Sequence, residues 1–476
     1  MSEPVAKALV SGKFRVIHSG HIRLFRLAKE LADELVVALD VATLDSDDIA
    51  WRLQALRNID FVSRVITYEG DIDALLQAER PNIVVKGSEF AQVHNSEEDS
   101  LDGWGGRLIF SSGDVFFSER DMILSENEEL LSKAFPLPHG FMQRHNISKD
   151  RLQEIIGNFG KIGVCVIGDL IVDEFINCHP LGMSQEEPTV VVTPIDRKRF
   201  IGGAGIVAAH CSLLGAQTTL LTICGDDEVG EWSKKKIAEY GIHMIAPIDS
   251  TRPTTLKQRF RSGSQTLLKL THLRKDDLSA DLESTLISNF EKCIENADVV
   301  IFSDFSYGVL TKKLVTEALR LSKSRGVFIS ADSQSSSQIG DLSRFKDVDL
   351  ITSTEREARL ELKDETNGLV VIVEKLRSIL TAKNILLKLG GDGVIIHGTN
   401  IEGNLLSTDQ VPALNNFLVD TSGAGDSLLA AASLSLASEA TIYEATLLGS
   451  VVAAIQVGRI GNTPVTSSQV MALLYT

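Results

Sequence analysis

Near the end of the chain, residues 419–431 read VDTSGAGDSLLAA and place an aspartate directly behind a Gly-Ala-Gly turn. A strand running to Asp420, the turn, and a small-residue helix starting near Asp426 are the expected local elements. Glycines let a backbone approach a phosphate without side-chain obstruction. Successive N–H groups at a helix start stabilise charge developing on a transferring phosphoryl group. An aspartate at that point can take the proton from an attacking hydroxyl. A simple helix cap accounts for one Asp and one Gly, but not for the whole string. A second cluster lies near the other end, where residues 14–25 read FRVIHSGHIRLF. His18 and His21 flank Ser-Gly between a strand-like run and an amphipathic helix, a second candidate phosphate-handling site.

Two domains or more are expected to position these groups, because 476 residues exceed the usual single core. A formal net charge of −17 argues against broad binding to nucleic-acid backbone or to an anionic membrane surface. No apolar run approaches the roughly 18 residues that span a bilayer. The N-terminal MSEPVAKALVSGKF lacks the apolar segment of a secretory signal. Five cysteines without a CxxC pair read as reduced thiols, and a cytoplasmic location is expected.

Residues 1–125 alternate strand-like runs (ELVVALD, RVITYE, NIVVKG, RLIFSS) with helical spacing (HIRLFRLAKELA, DIDALLQAE), the pattern of a parallel α/β domain. Residues 126–150, with two prolines, a glycine and mixed charge, read as a linker. A second α/β domain, 151–476, opens at KIGVCVIGDLIVDEF and continues through TTLLTIC, DVVIFSD, GVFISAD, VDLITS and NILLKLG. The segments 185–200 and 254–271 look like β-ribbons that form a lid over the sheet's carboxyl edge.

The second domain resembles the ribokinase-family sugar kinases over about residues 160–470. RFIGGAGIVAAHCSLLGAQTTLLTICGDDEVG is similar to that family's first signature, VDTSGAGDSLLAA to its second, and KLGGDG to its nucleotide-side glycine motif. The resemblance implies a ribokinase-like α/β sandwich with a small β lid, and ATP with Mg²⁺ as cofactors. It implies Asp426 as catalytic base, Gly423, Ala424 and Gly425 as anion hole, and Gly390 and Gly393 in the ATP site. Glu355 falls where the family has the glutamate of N-x-x-E, although the Asn position is Thr352. GDLIVDEF, GMSQEEPTVVV, TLKQRF and SDFSYGVL resemble the heptose 7-phosphate kinases in particular. On that basis Asp169 and Asp173 face the sugar with Gly202 and Gly203, and Lys257 and Arg259 reach in from the lid. The sugar-binding Asn of the family is Ile206 here, and Tyr307 and Gln334 stand where the subgroup usually has lysines.

The first domain resembles the cytidylyltransferase-like nucleotidyltransferases, whose signature is G-x-F-D-x-x-H-x-G-H. The resemblance implies a Rossmann-like fold in which His18 and His21 bind nucleotide phosphates, with Lys86 of VVKGSEF and Ser118 of FFSERDMI nearby. Arg52 matches a basic helix position. Arg15 replaces the family's Asp, and Glu119 and Arg120 replace hydroxyl residues. The two resemblances together are those of the bifunctional heptose 7-phosphate kinase/heptose 1-phosphate adenylyltransferases with the domain order reversed. They imply small-molecule partners, a sugar or sugar phosphate and a nucleotide, with a homodimer formed through lid strands. A sugar kinase with a degenerate first domain acting as a binding or oligomerisation module is the alternative.

Overall fold

The computed structural model describes residues 6–14, 19–42, 44, 46–87, 95–110, 137–262, 265–334, 340–399, 406–415 and 418–475. It forms two compact units, Met1–Asn127 and Glu128–Thr476. In the first, β1 (Lys7–Gly12), β2 (Glu34–Asp40), β3 (Arg64–Tyr68), β4 (Ile83–Lys86) and β5 (Arg107–Phe110) make a parallel sheet in the order β3-β2-β1-β4-β5. Leu35 to Leu39 are buried without interruption, as a strand covered on both faces requires. Phe14, Phe25 and Leu56 pack on one face of the sheet, and Leu76 and Leu101 on the other. The helix Ser96–Asp102 was not legible in the sequence, because SEEDSLD carries almost no apolar period.

The second unit begins with helices His139–Arg144 and Lys149–Asn158. Residues 137–150, expected as linker, belong instead to this unit's core. Phe141, Met142 and Ile147 are buried in it, and Arg144 and His145 both bind Asp409. Apolar anchors at that spacing hold a proline-flanked segment down.

The strands of this unit are β6 (Gly163–Gly168), β7 (Leu170–Met183), β8 (Val190–Gly203), β9 (Gln217–Leu221), β10 (His243–Ile245), β11 (Thr255–Ser262), β12 (Gln265–His272), β13 (Val299–Asp304), β14 (Phe328–Ser333), β15 (Leu350–Thr354), β16 (Asn384–Lys388), β17 (Val394–Thr399) and β18 (Leu406–Val411). Nine form one sheet, β10-β9-β6-β13-β14-β15-β16-β17-β18, parallel except at β17 and β18. Its residues alternate between two cores: Val164, Val166, Val299 and Ile301 face one, and Cys165, Ile167, Val300 and Phe302 the other. The helices Ala204–Leu214, Ala424–Ala437 and Ile442–Val457 cover the first face. They are apolar almost all round, as wholly buried helices must be.

The other four strands make a separate sheet, β12-β11-β7-β8. Both ribbon segments lie in it, and β7 joins them as a long strand, so that KIGVCVIGDLIVDEF contributes to both sheets. The chain changes sheets at Asp169. Close pairing of β6 with β13 explains the glycine just before that exit. A Cβ on Gly168 would stand 1.9 Å from the Ser303 carbonyl oxygen. Gly168→Ala is therefore expected to destabilise the second unit by about 3 kcal/mol, measurable by denaturant titration.

Candidate active site

Parallel strands leave ligand clefts at their carboxyl ends. Here β14, β15 and β16 end in Asp332-Ser333, Thr354 and Lys388, and a cavity of about 470 Å³ opens beside them. Asp173, Arg259, Lys388 and Asp426 line it from four different elements, along with apolar residues such as Pro412, Leu414 and Ala453. A mixed lining of this kind suits a nucleotide base beside polar reacting groups.

The Gly-Ala-Gly turn forms one wall. Gly423 has φ +76°, which the turn into the helix requires. The amide of Ala424 reaches Thr421 O at 3.4 Å, whereas those of Gly423, Gly425 and Asp426 meet no acceptor among the described residues. Open amides at the start of a buried helix are donors awaiting an anion. The turn is tied to the loop after the helix Ile442–Val457. Gly461 N donates to Asp420 Oδ2 at 3.0 Å, and the buried Gln456 donates from Nε2 to both Ser422 O and Gly461 O. A Cβ on Gly425 would lie 3.1 Å from Lys388 Nζ, so glycine there admits the ammonium to the turn.

Three acidic residues share that ammonium. Lys388 Nζ bonds Asp332 Oδ2 at 2.8 Å, and both side chains are nearly inaccessible. Burial works to lower the Lys388 pKa, but the charges of Asp332 and Glu357 outweigh it and the pKa is raised. Asp426 is buried, with its Oδ1 accepting from Gln334 Nε2 at 2.6 Å. Burial, followed by the nearby charge of Asp332, raises the Asp426 carboxyl to about 7, against the opposing effects of Lys388 and the Gln334 bond. A carboxylate that releases its proton near neutrality is suited to general-base work. Gln334 thus orients the Asp426 carboxyl.

The donor set fits ATP and Mg²⁺. Open amides, Lys388, Gly390 (φ +61°) and Gly393 (φ +93°) line one side of the cavity, where a Cβ on Gly393 would strike Val411 O at 2.0 Å. Asp332 Oδ1 is buried without a partner among the described residues. Among the described residues no group of three His, Cys, Asp or Glu could hold an ion alone. Mg²⁺ would be held by phosphate oxygens with Asp332 or Glu357, in keeping with its preference for few protein ligands.

The lid sheet supplies the remaining polar groups. Lys257 and Arg259, two apart on β11, both reach the cavity, while Gln258 between them bonds Glu174 on β7 at 2.6 Å. Lys257 Nζ sits 5.2 Å from the ring centroids of Phe305 and Tyr307. Arg259 donates to Ser422 Oγ at 3.1 Å and pairs with Asp173 at 3.5 Å. Burial raises the Asp173 carboxyl pKa, although Arg259 and Lys257 oppose it. Gly203 lines the cavity. Gly202 does not, but it leaves room for Asp173, whose Oδ2 would be 2.7 Å from a Cβ there.

Two expected residues lie elsewhere. Asp169 does not face the cavity; its carboxylate accepts from the amides of Phe305, Tyr307 and Val309 and so holds that loop in place. Glu355 also points away, its side chain 41% exposed and paired with Arg359. Thr354 and Glu357 line the cavity instead, joined in a capping box at the helix start. Ile206 is fully buried in the core, and Tyr307 is buried against Ile171 and Phe305. Sequence reasoning missed Lys388, Asp332, Glu357 and Asn462. The strand-end positions of the first two and the T-x-x-E cap at Glu357 were readable signals; Asn462 had none.

In the first unit, β1 and β4 are neighbours at the point where strand order reverses, the usual ligand position in such sheets. His21 lies in the first turn of the helix Ser19–Glu30, which follows β1, its ring edge-on to Phe14 and stacked on Phe25. Lys86 ends β4 and pairs with the buried Glu97 at 2.7 Å. Arg52 donates to Lys13 O at 3.1 Å. His18, Arg15, Ser118, Glu119 and Arg120 lie outside the described residues.

The pfkB family carbohydrate kinase model matches residues 161–468. The chain belongs to that family. Its members are ATP-dependent sugar kinases that use Mg²⁺. Among curated relatives, the bifunctional protein HldE of Desulfatibacillum aliphaticivorans is 29% identical over 66% of this chain and 64% of its own length. That of Caulobacter vibrioides is 29% identical over 68% and 65%. The chain thus spans just under two thirds of these relatives. Arabidopsis thaliana ribokinase, solved with ribose and ATP, shares 19% identity at a TM-score of 0.52, covering 66% of this chain and 99% of its own. Escherichia coli phosphofructokinase-2 with potassium shares 15% at 0.53, covering 66% and 98%. These structures establish a ribokinase-like α/β fold for the second unit of this pfkB-family chain.

Asp426→Asn is expected to lower kcat for sugar phosphorylation by about 10²- to 10⁴-fold. With Asp426 as a base that acts when charged, kcat/KM for the acceptor is expected to fall tenfold per unit below about pH 7. Gln334→Lys adds a cation facing Asp426 beside Lys388, Asp332 and Asp173. It stabilises the carboxylate and is expected to move that acid limb to lower pH, measured as a pH–rate profile.

Proposed function

We propose that the second unit phosphorylates a heptose or heptose phosphate with ATP, and that the first unit then transfers a nucleotidyl group from a nucleoside triphosphate to the sugar phosphate, releasing pyrophosphate, to give a nucleotide-activated sugar. The observation that carries the kinase half is Asp426, buried at the open amides of the Gly-Ala-Gly turn with Lys388 beside them. Bound ATP supplies the transferable phosphoryl group, with Mg²⁺ screening its charge. Asp426 takes the proton of the acceptor hydroxyl, held in place by Gln334. The amides of Gly423, Gly425 and Asp426 and the Lys388 ammonium stabilise the negative charge that moves during transfer. The heptose assignment is supported by the subgroup segments and by the HldE relatives. Ile206, Tyr307 and Gln334 alter the pocket relative to that subgroup and make the particular sugar this chain's own.

The transferase half is supported by His21 and Lys86 at the strand-order reversal of the first unit. The Lys86–Glu97 pair favours the second reading, a kinase whose first unit only binds or assembles, because a lysine held by a buried glutamate has less charge to offer a phosphate. A homodimer through the lid sheet is also part of this reading, supported by the exposed Leu181, Met183 and Ile195.

The test is mass spectrometry of products from the full chain with Mg²⁺, ATP, CTP and a panel of heptoses and heptose 7-phosphates. A nucleotide-sugar is expected, and it should vanish in the His18→Ala/His21→Ala variant while the sugar phosphate still accumulates. Sugar phosphate alone from both proteins establishes the second reading. The absence of either product overturns the heptose assignment.

A further inference from the structure

Asn462 follows the glycine turn after the helix Ile442–Val457 and is not among the residues that the family signatures single out. It is 6% exposed and lines the cavity. Its Nδ2 donates to Asp173 Oδ2 at 3.3 Å, which fixes the orientation of the amide. The other end, Oδ1, is buried with no donor among the described residues. That oxygen would be 2.6 Å from a Cβ on Gly423, and Nδ2 3.3 Å from one on Gly202. The side chain therefore stands between the two glycine signatures, and both glycines are needed to admit it. Asp173 Oδ1 is in the same condition: no hydrogen-bond donor among the described residues reaches it, and Arg259 Nη2 approaches at 3.5 Å.

We propose that Asn462 is a specificity-determining residue whose Oδ1 accepts a hydrogen bond from a hydroxyl of the phosphoryl acceptor, with Asp173 Oδ1 accepting from a second one. The inference rests on the kinase reading for the identity of the acceptor. Its physical basis is separate. Buried acceptors without donors cost free energy unless a ligand supplies the donor. Here two of them, on side chains joined to each other, line one cavity. Atoms that only accept select a ligand presenting O–H groups. The ligand class is a polyhydroxylated sugar with two hydroxyls close enough to meet neighbouring side chains. The Asn462–Asp173 bond couples the two contacts, so that loss of the amide also frees the carboxylate to rotate toward Arg259.

Isothermal titration calorimetry of the full chain tests this without relying on turnover. The titrants are a heptose, its 7-phosphate and their monodeoxy analogues, with Mg²⁺ and a non-hydrolysable ATP analogue present. Asn462→Ala is expected to weaken the best-bound sugar about 10- to 100-fold while the Kd of the ATP analogue stays the same. Asn462→Thr, which restores an oxygen acceptor, is expected to recover part of the loss. One monodeoxy sugar should lose a similar factor against the unmodified protein and nothing more against Asn462→Ala. Equal sugar affinity in the unmodified protein and a folded Asn462→Ala overturns the proposal. So does a parallel loss of the ATP analogue, which marks a collapsed junction. If Asn462→Ala does not fold, the deoxy series on the unmodified protein and on Asn462→Thr decides, and a series flat in both overturns it. Phosphorylation of the same sugars is followed alongside. Sugar binding that depends on Asn462 without turnover sinks the kinase reading alone, and turnover with binding indifferent to Asn462 sinks this inference alone. Failure of every sugar to bind sinks both.

Discussion

Three carboxylates, Asp332, Glu357 and Asp426, surround one buried ammonium, that of Lys388, and the architecture of the second unit follows from keeping them there. Burial raises the carboxyl pKa of Asp332 and of Asp426, and a neighbouring carboxylate, Glu357 for the first and Asp332 for the second, raises each further. Lys388 is placed on Asp332, which leaves Asp426 to a neutral partner, Gln334. The consequence is a carboxyl titrating at about 7 beside a row of open amides. Such an arrangement is costly in an empty site and useful when a polyphosphate enters, since the same amides and ammonium that fail to saturate the protein's own groups are complementary to the incoming charge.

Holding that cluster requires rigid elements from distant parts of the chain. The parallel strands β14 to β16 deliver Asp332 opposite Thr352 and, two residues further along β15, Thr354 opposite Lys388. The small-residue helix behind Asp426 packs closely enough that a Cβ on Gly449 of the next helix would stand 3.1 Å from Leu428. Asp420 and Gln456 tie the turn to the following loop, and Asp169 pins the loop 305–309 through three amides. The residues that hold the site are thus as polar and as buried as those that form it. Removing one partner of such a bond leaves the other unsatisfied, which is the more damaging change.

The two units differ in how well their chemistry is supported. In the second, the motif residues Asp426, Gly425 and Gly393 come together in one cavity with groups that complete them. In the first, the parallel sheet puts His21 and Lys86 at the appropriate edge, yet Lys86 is bound to Glu97. A glutamate that neutralises a lysine from within is a structural solution to burying both, and it competes directly with phosphate for the same charge.

Local sequence by itself determined most strands of both units, which carry an uninterrupted or alternating apolar run, though not the short β10 or the antiparallel β17 and β18, and it determined the Gly-Ala-Gly-Asp turn, because glycine tolerates the positive φ at Gly423 next to a packed helix. It also carried enough pattern to name the family of the second unit. What only the tertiary structure decided was the use of individual polar side chains. Glu355 and Glu357 are both glutamates in one helical turn, and two residues of helical rotation put one toward Arg359 and the other toward the cavity. Asp169 and Asp173 are both aspartates in one strand-like run, but the change of sheet between them turns one to backbone amides and the other to Arg259. Asn462 meets Asp173 across nearly three hundred residues of chain. Such pairings depend on which elements lie side by side, and no local pattern of propensity or periodicity records that.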